Sequence, residues 1–232
     1  MVRSLLAGEQ HDASSLNYNL ATNHVAFVIA SLDEDHPFPD LRPRMKCRLL
    51  TVRADARSVW GWLGGEDGAL ADDLQLLIAQ EWPTTTTITC GEPSEGLEGW
   101  RLTHRQATAA LPIAEAQQSD VTHYRDVALL AAALRDDLLY DSLKCTYLEP
   151  LELSSDCGAT AKRTLRAYFA AGRNISAAAA YLGVNRATVR NRLSAIEELL
   201  GWAPDAVAAE MELALRLDSL NAIRAHQEVA SC

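Results

Sequence analysis

Apolar residues recur along this chain with two different periods, and the change of period divides it. In the N-terminal half they form short runs rich in β-branched and aromatic side chains, the kind that fits a pleated surface. His24–Ala30 (HVAFVIA) predicts a strand, and Arg48–Arg53 with Ser58–Leu63 predicts a hairpin turning through residues 54–57. Ala69–Gln80 switches to helical spacing at Leu70, Leu74, Leu77 and Ile78. Thr84–Cys90 is β-branched and predicts a strand, Leu97–Ala114 a helix that Pro112 bends or ends, and Val121–Tyr124 a last short strand. Residues 31–44 carry Pro37, Pro39 and Pro43 among acids and predict a loop. Strands with interleaved helices imply an α+β sandwich, with helices on one face of a largely antiparallel sheet.

Beyond Asp126 the period is helical throughout. Leu129, Leu130, Leu134, Leu138, Leu139 and Leu143 predict one or two helices packing on the first domain, and Leu153–Gly158 (LSSDCG) is small and polar enough to be a linker. From Thr164 to Gly201 the pattern reads helix, turn, helix, short turn, helix. Leu165, Tyr168 and Phe169 give the first helix a buried face, and Gly172 ends it. Asn174 and Ser176 are N-cap candidates for an alanine-rich second helix, Ala177–Leu182, and Gly183 suits a left-handed turn. Asn185 caps the third helix, where Val189, Leu193, Ile196 and Leu200 form an inward stripe. Ala187, Thr188, Asn191 and Ser194 then face outward, flanked by Arg186, Arg190 and Arg192. Arginine pairs bidentately with guanine edges or phosphates, which makes this helix a candidate for the DNA major groove.

Charge changes the picture in the same direction. The chain has 21 Lys+Arg against 31 Asp+Glu, a net charge of −10. Residues 160–201 nevertheless hold seven basic residues, Lys162, Arg163, Arg166, Arg173, Arg186, Arg190 and Arg192, against Glu197 and Glu198 alone. A basic patch on an acidic body is the electrostatic footprint of a DNA-reading module. Acidic surroundings weaken indiscriminate phosphate binding, so two copies on a repeated or palindromic site are expected. A solvated alanine-rich hairpin is the bland alternative.

These residues resemble the C-terminal helix-turn-helix of the PucR/CdaR family of regulators. Arg186, Thr188, Val189, Arg190, Arg192 and Leu193 match the family's recognition stretch, and Ile196-Glu197-Glu198-Leu199-Leu200-Gly201 matches its ending. Asn185, Ala187 and Asn191 replace the family's His, Asn and Tyr, so the DNA sequence read is its own question. Pro204–Leu220, with Met211, Leu213, Leu215 and Leu217, is similar to the family's closing helix. Gly91-Glu92-Pro93-Ser94-Glu95-Gly96-Leu97 with Arg101 and Arg105-Gln106-Ala107, and the opening Leu5–Gly8 and Leu16–Leu20, resemble the degenerate GGDEF-like domain preceding it. The resemblance implies an N-terminal degenerate GGDEF-like (ferredoxin-like) α+β sandwich followed by an all-α helix-turn-helix domain. The expected boundaries are a lead-in at 1–23, the GGDEF-like domain at 24–125, a helical connector and linker at 126–158, and the helix-turn-helix domain at 159–232.

Gly64-Gly65-Glu66-Asp67-Gly68 looks like the GGDEF signature, whose glycines admit a guanine nucleotide and whose acids hold magnesium. Here a helix follows instead of a second strand, and HVAFVIA lacks the partner carboxylate. A turn is therefore expected, neither enzyme nor cofactor site, and a nucleotide- or ligand-binding signalling module without cyclase activity, its helix-turn-helix vestigial, is the alternative. Cys47, Cys90, Cys145, Cys157 and Cys232 show no zinc spacing, and the six histidines no ligand pair, so no metal is expected. Trp60 and Trp62 share a strand face and suit helix packing, and Asp72-Asp73 and Asp136-Asp137 suit solvated helix faces. No apolar run approaches the ~20 residues that span a bilayer, and no signal peptide opens the chain, so the cytoplasm is the expected compartment. The expected partners are double-stranded DNA, a second copy of the chain and an unidentified small-molecule effector, and the expected contacts are Ser176, Asn185, Arg186, Thr188, Arg190, Asn191 and Arg192.

Overall fold

A computed structural model describes residues 1–9, 16–31, 44–153, 156 and 158–230, with side chains to residue 221. The proline-rich 32–43 segment, and Ser154, Ser155 and Cys157 of the expected linker, lie outside the described residues. The described chain forms two compact units, Met1–Ala131 and Ala132–Cys232.

The first unit is built on a six-stranded sheet. β1 (Asn23–Ser31) lies at its centre, between β3 (Ser58–Gly65) and β4 (Thr86–Cys90); β2 (Arg48–Arg53) is outside β3, and β6 (Val121–His123) outside β4. β5 (Ser94–Glu95) adds to β1. All pairs are antiparallel except β4–β6, which run parallel. β1 is buried along its interior on both sides, which explains why HVAFVIA shows no polar alternation.

The expectation of helices on one face is corrected. Val25, Phe27, Ile29, Leu63 and Ile88 face α2 (Asp67–Ile78) through Leu70 and Leu77. On the opposite face Ala26 and Trp62 meet α3 (Gly96–Gln117) through Trp100, and α1 (Val2–Leu6) through Val2 and Leu5. Register decides this: Leu63 pairs with Val25 and Trp62 with Ala26, so successive residues alternate between two buried faces. α3 continues through Pro112, because Ile113, Ala114 and Ala116 beyond it are still buried. Trp62 stacks on Trp100 at 4.6 Å and donates its indole N–H to the Trp100 carbonyl, so the tryptophan pair is helix packing.

The two aspartates expected on a solvated face part company. Asp72 is exposed and pairs with Lys46, whereas Asp73 is buried and accepts the Cys47 amide at 2.6 Å. Asp136 N-caps α5 (Asp137–Leu143) by accepting the Leu139 amide. The leucine-rich stretch is also more broken than its spacing implied. It forms α4 (Tyr124–Ala133), α5, a π turn (Lys144–Leu148) and α6 (Glu149–Glu152), and Leu138 is 79% exposed.

In the second unit, α7 (Ala159–Ala170), α8 (Ile175–Leu182) and α9 (Arg186–Leu200) pack around Ala167, Tyr168, Ala178, Ala179 and Val189. Two alanines at the α8 contact let the helices approach closely. A 3-10 turn (Pro204–Val207) leads into α10 (Ala208–Ala230), which buries Met211, Leu213, Leu215, Leu217 and Leu220.

Candidate nucleic-acid interface

Caps on α8 and α9 fix the geometry of the turn. Asn174 Oδ1 accepts the amides of Ser176 and Ala177, so Asn174 is the cap and Ser176 sits exposed in the first helical turn. Gly183 closes α8 at φ 68°, in the left-handed region that glycine enters without penalty. Asn185 Oδ1 then accepts both the amide and the hydroxyl of Thr188, at 2.7 and 3.0 Å. Capping therefore uses the Asn185 amide oxygen and the Thr188 hydroxyl proton, and it leaves the Asn185 amide group and the Thr188 oxygen lone pairs to other partners.

Behind α9, Val189, Ile196 and Leu200 are buried, and Leu193 packs partly against the same cluster. Arg186, Ala187, Arg190, Asn191 and Ser194 are exposed. The surface opposite the apolar ridge is open, with Asn191 on it and the exposed Arg186 and Arg190 at its flank. Arg192 is placed differently. The residue is half-buried, with Nη1 3.5 Å from Thr164 Oγ1 on α7, so its side chain reaches toward α7.

The basic patch is smaller than the sequence count. Lys162 Nζ lies 3.0 Å from both Glu152 and Asp218, and Arg166 Nη2 lies 2.6 Å from Asp218. Burial opposes the charge on Lys162, but its bonds to Glu152 and Asp218 outweigh this and raise its pKa above the usual lysine value. These two cations belong to an internal network. Arg163 and Arg173 are exposed alongside Arg186 and Arg190. Sequence spacing alone missed the network, because Asp218 is 52 residues from Arg166 and no local pattern joins them.

The glycine pair of the first unit is occupied by the protein itself. A Cβ on Gly64 would lie 2.5 Å from the Tyr18 hydroxyl, and one on Gly65 2.9 Å from Cys47 Sγ. Tyr18 is buried and bonds His24 Nδ1 at 2.9 Å, and burial raises its pKa. Burial also pushes the Cys47 thiol up to about 12, with Asp73 acting in the same direction, which leaves it protonated and unreactive at neutral pH. Glu66 and Asp67 are exposed at the N-terminus of α2, where acids complement the helix dipole. Among the described residues no group of His, Cys, Asp and Glu is placed to hold a metal ion, and no helix is long and apolar enough to cross a membrane.

No curated protein matches the chain. Among solved structures it is similar to the regulator of polyketide synthase expression from Bifidobacterium adolescentis, at 16% identity and a TM-score of 0.45, over 97% of this chain and 96% of that one. Residues 9–113 match the GGDEF-like domain, and residues 162–218 match the PucR C-terminal helix-turn-helix domain. With these two domains in this order, the chain belongs to the PucR/CdaR family of transcriptional regulators.

Proposed function

We propose that this regulator reads duplex DNA with α9, as a homodimer in the cytoplasm. The working segments are a lead-in at 1–23, the GGDEF-like domain at 24–125, a connector at 126–158 and the DNA-binding domain at 159–232. The observation that carries the reading is the exposed face of α9, with Asn191 opposite the buried Val189–Ile196–Leu200 ridge and the exposed Arg186 and Arg190 flanking it. Arg186 and Arg190 supply bidentate donors for guanine or phosphate, and Asn191 suits an adenine edge. Ser176 lies at the N-terminus of α8, where free amides and the helix dipole favour a phosphate. Asn185 and Thr188 serve first as the cap of the reading helix, and their backbone-facing bonds set how its first turn is presented. Arg192 contributes from the domain side, through Thr164.

A single such helix covers few base pairs, so two copies on half-sites about 34–36 Å apart, or a multiple of that, provide the affinity. Selection of bound fragments from random duplex DNA tests the proposal. Enriched fragments with paired half-sites at helical spacing support it; a pool that stays random after repeated rounds overturns it.

A further inference from the structure

Lys162 and Arg166 lie one helical turn apart on α7, and a single carboxylate, Asp218 of α10, holds both. Arg166 Nη2 also donates to the Leu215 carbonyl of α10 at 3.4 Å, and Lys162 reaches Glu152 of α6. The side chains of Lys162 and Asp218 are only 12% and 26% exposed, so water competes weakly for these bonds. At about 100° per residue, Thr164 projects from the side of α7 opposite Lys162 and Arg166. Thr164 is fully buried, its hydroxyl donates to the Thr160 carbonyl at 2.8 Å, and it receives Arg192 from α9. One side of α7 is thus tied to α10 and the other to the reading helix. The two bonds to Asp218 add a polar tie between α7 and α10 to the packing of the buried Leu165, Ala167 and Tyr168.

We infer that Asp218 is a positioning residue for DNA recognition, setting through α7 and Thr164 the orientation in which α9 meets the duplex. The inference rests on the reading of α9 as the DNA-contacting helix. Asp218 itself touches no DNA in this account. Its loss should therefore weaken binding without removing a phosphate contact, which separates it from the outward arginines.

The test uses the full chain and a duplex obtained by selection from a random pool, with scrambled duplex as the comparison. Asp218→Asn should weaken binding to the selected duplex roughly three- to thirtyfold, the size expected of a residue that acts through others. The slope of log affinity against log salt should stay at the wild-type value, and the preference for selected over scrambled duplex should shrink. Asp218→Glu should restore most of that preference. Thr164→Val keeps the buried volume while removing the Arg192 acceptor, and it should show the same loss at the same salt slope; it decides the matter should Asp218→Asn fail to fold. Wild-type affinity and preference in the folded variants would overturn the inference. So would tighter binding with a steeper salt slope, since Lys162 and Arg166 would then be suppressed phosphate contacts. Arg190→Ala is measured alongside: if it too binds as wild type, the reading of α9 has failed, whereas a loss there with intact Asp218 and Thr164 variants sinks the positioning role alone.

Discussion

Substituting Gly64 by alanine tests whether the glycine pair serves the protein's own packing. The added Cβ would stand 2.5 Å from the Tyr18 hydroxyl oxygen, 2.7 Å from its Cζ and 3.1 Å from Cε2. Tyr18 is buried among Val2, Leu5, Ala26, Trp62 and Trp100, and its hydroxyl is held by His24, so the ring has no low-energy retreat. Overpacking of this kind costs ~1–3 kcal/mol. Displacing the ring also breaks a buried hydrogen bond, worth ~0.5–1.5 kcal/mol net. The expected destabilisation is therefore about 1.5–4.5 kcal/mol, the sum of those two contributions. Urea unfolding followed by tryptophan fluorescence in a Trp202→Phe background, which leaves only tryptophans of the first unit, reads it, since Trp62 and Trp100 stand in the same core cluster as Tyr18. Tyr18→Phe removes the closest atom, so in its background Gly64→Ala should cost measurably less. A midpoint for Gly64→Ala within ~0.5 kcal/mol of wild type, the range of a neutral surface change, would refute the reasoning and reopen the glycines as an approach for a ligand.

Two further outcomes follow from the same structure. Asn185→Ala removes the acceptor for the Thr188 amide and hydroxyl and should destabilise the helix-turn-helix unit by about 1 kcal/mol, measured by chemical denaturation; an unchanged midpoint contradicts the cap. His104 is buried against Trp60 and Trp62, and burial lowers its pKa to about 4 from the usual 6.5. The unfolded chain then takes up the proton first, so the stabilising effect of the neutral ring is complete above about pH 6.5 and is lost as pH falls toward 4, by up to ~3 kcal/mol. Stability measured between pH 7 and pH 4 should fall less steeply in His104→Leu than in wild type; identical slopes would remove His104 from the account.

Local signals carried much of the architecture. Asn174, Gly183 and Asn185 are readable because caps and left-handed turns depend on neighbours within four residues, and the structure places them in those roles. The strands are legible from their runs of β-branched and aromatic residues, and α3 from a 3.6-residue period that survives because one of its faces is buried. What spacing could not show is contact between distant segments. Asp73 looks solvated beside Asp72 until the Cys47 amide, 26 residues away, is seen against it. Arg192 resembles its outward neighbours in sequence, yet its position on the helix turns it toward Thr164. The same limit inflated the basic patch, since Lys162 and Arg166 pair with two carboxylates outside the motif, Glu152 before it and Asp218 after it. Helices on both sheet faces were hidden because β1, buried on both sides, carries no alternation to count.

The salt dependence of duplex binding by Arg186→Ala, Arg190→Ala compared with wild type tests the central claim most directly. Both side chains are exposed on the open face of α9, so each that contacts a phosphate should contribute ~0.9 to the slope of log affinity against log salt. The account predicts that the double variant keeps its fold, binds the selected duplex at least tenfold more weakly, as ~1–3 kcal/mol per lost bidentate pair implies, and loses either slope or sequence preference. Equal affinity, slope and preference in the two proteins would contradict it.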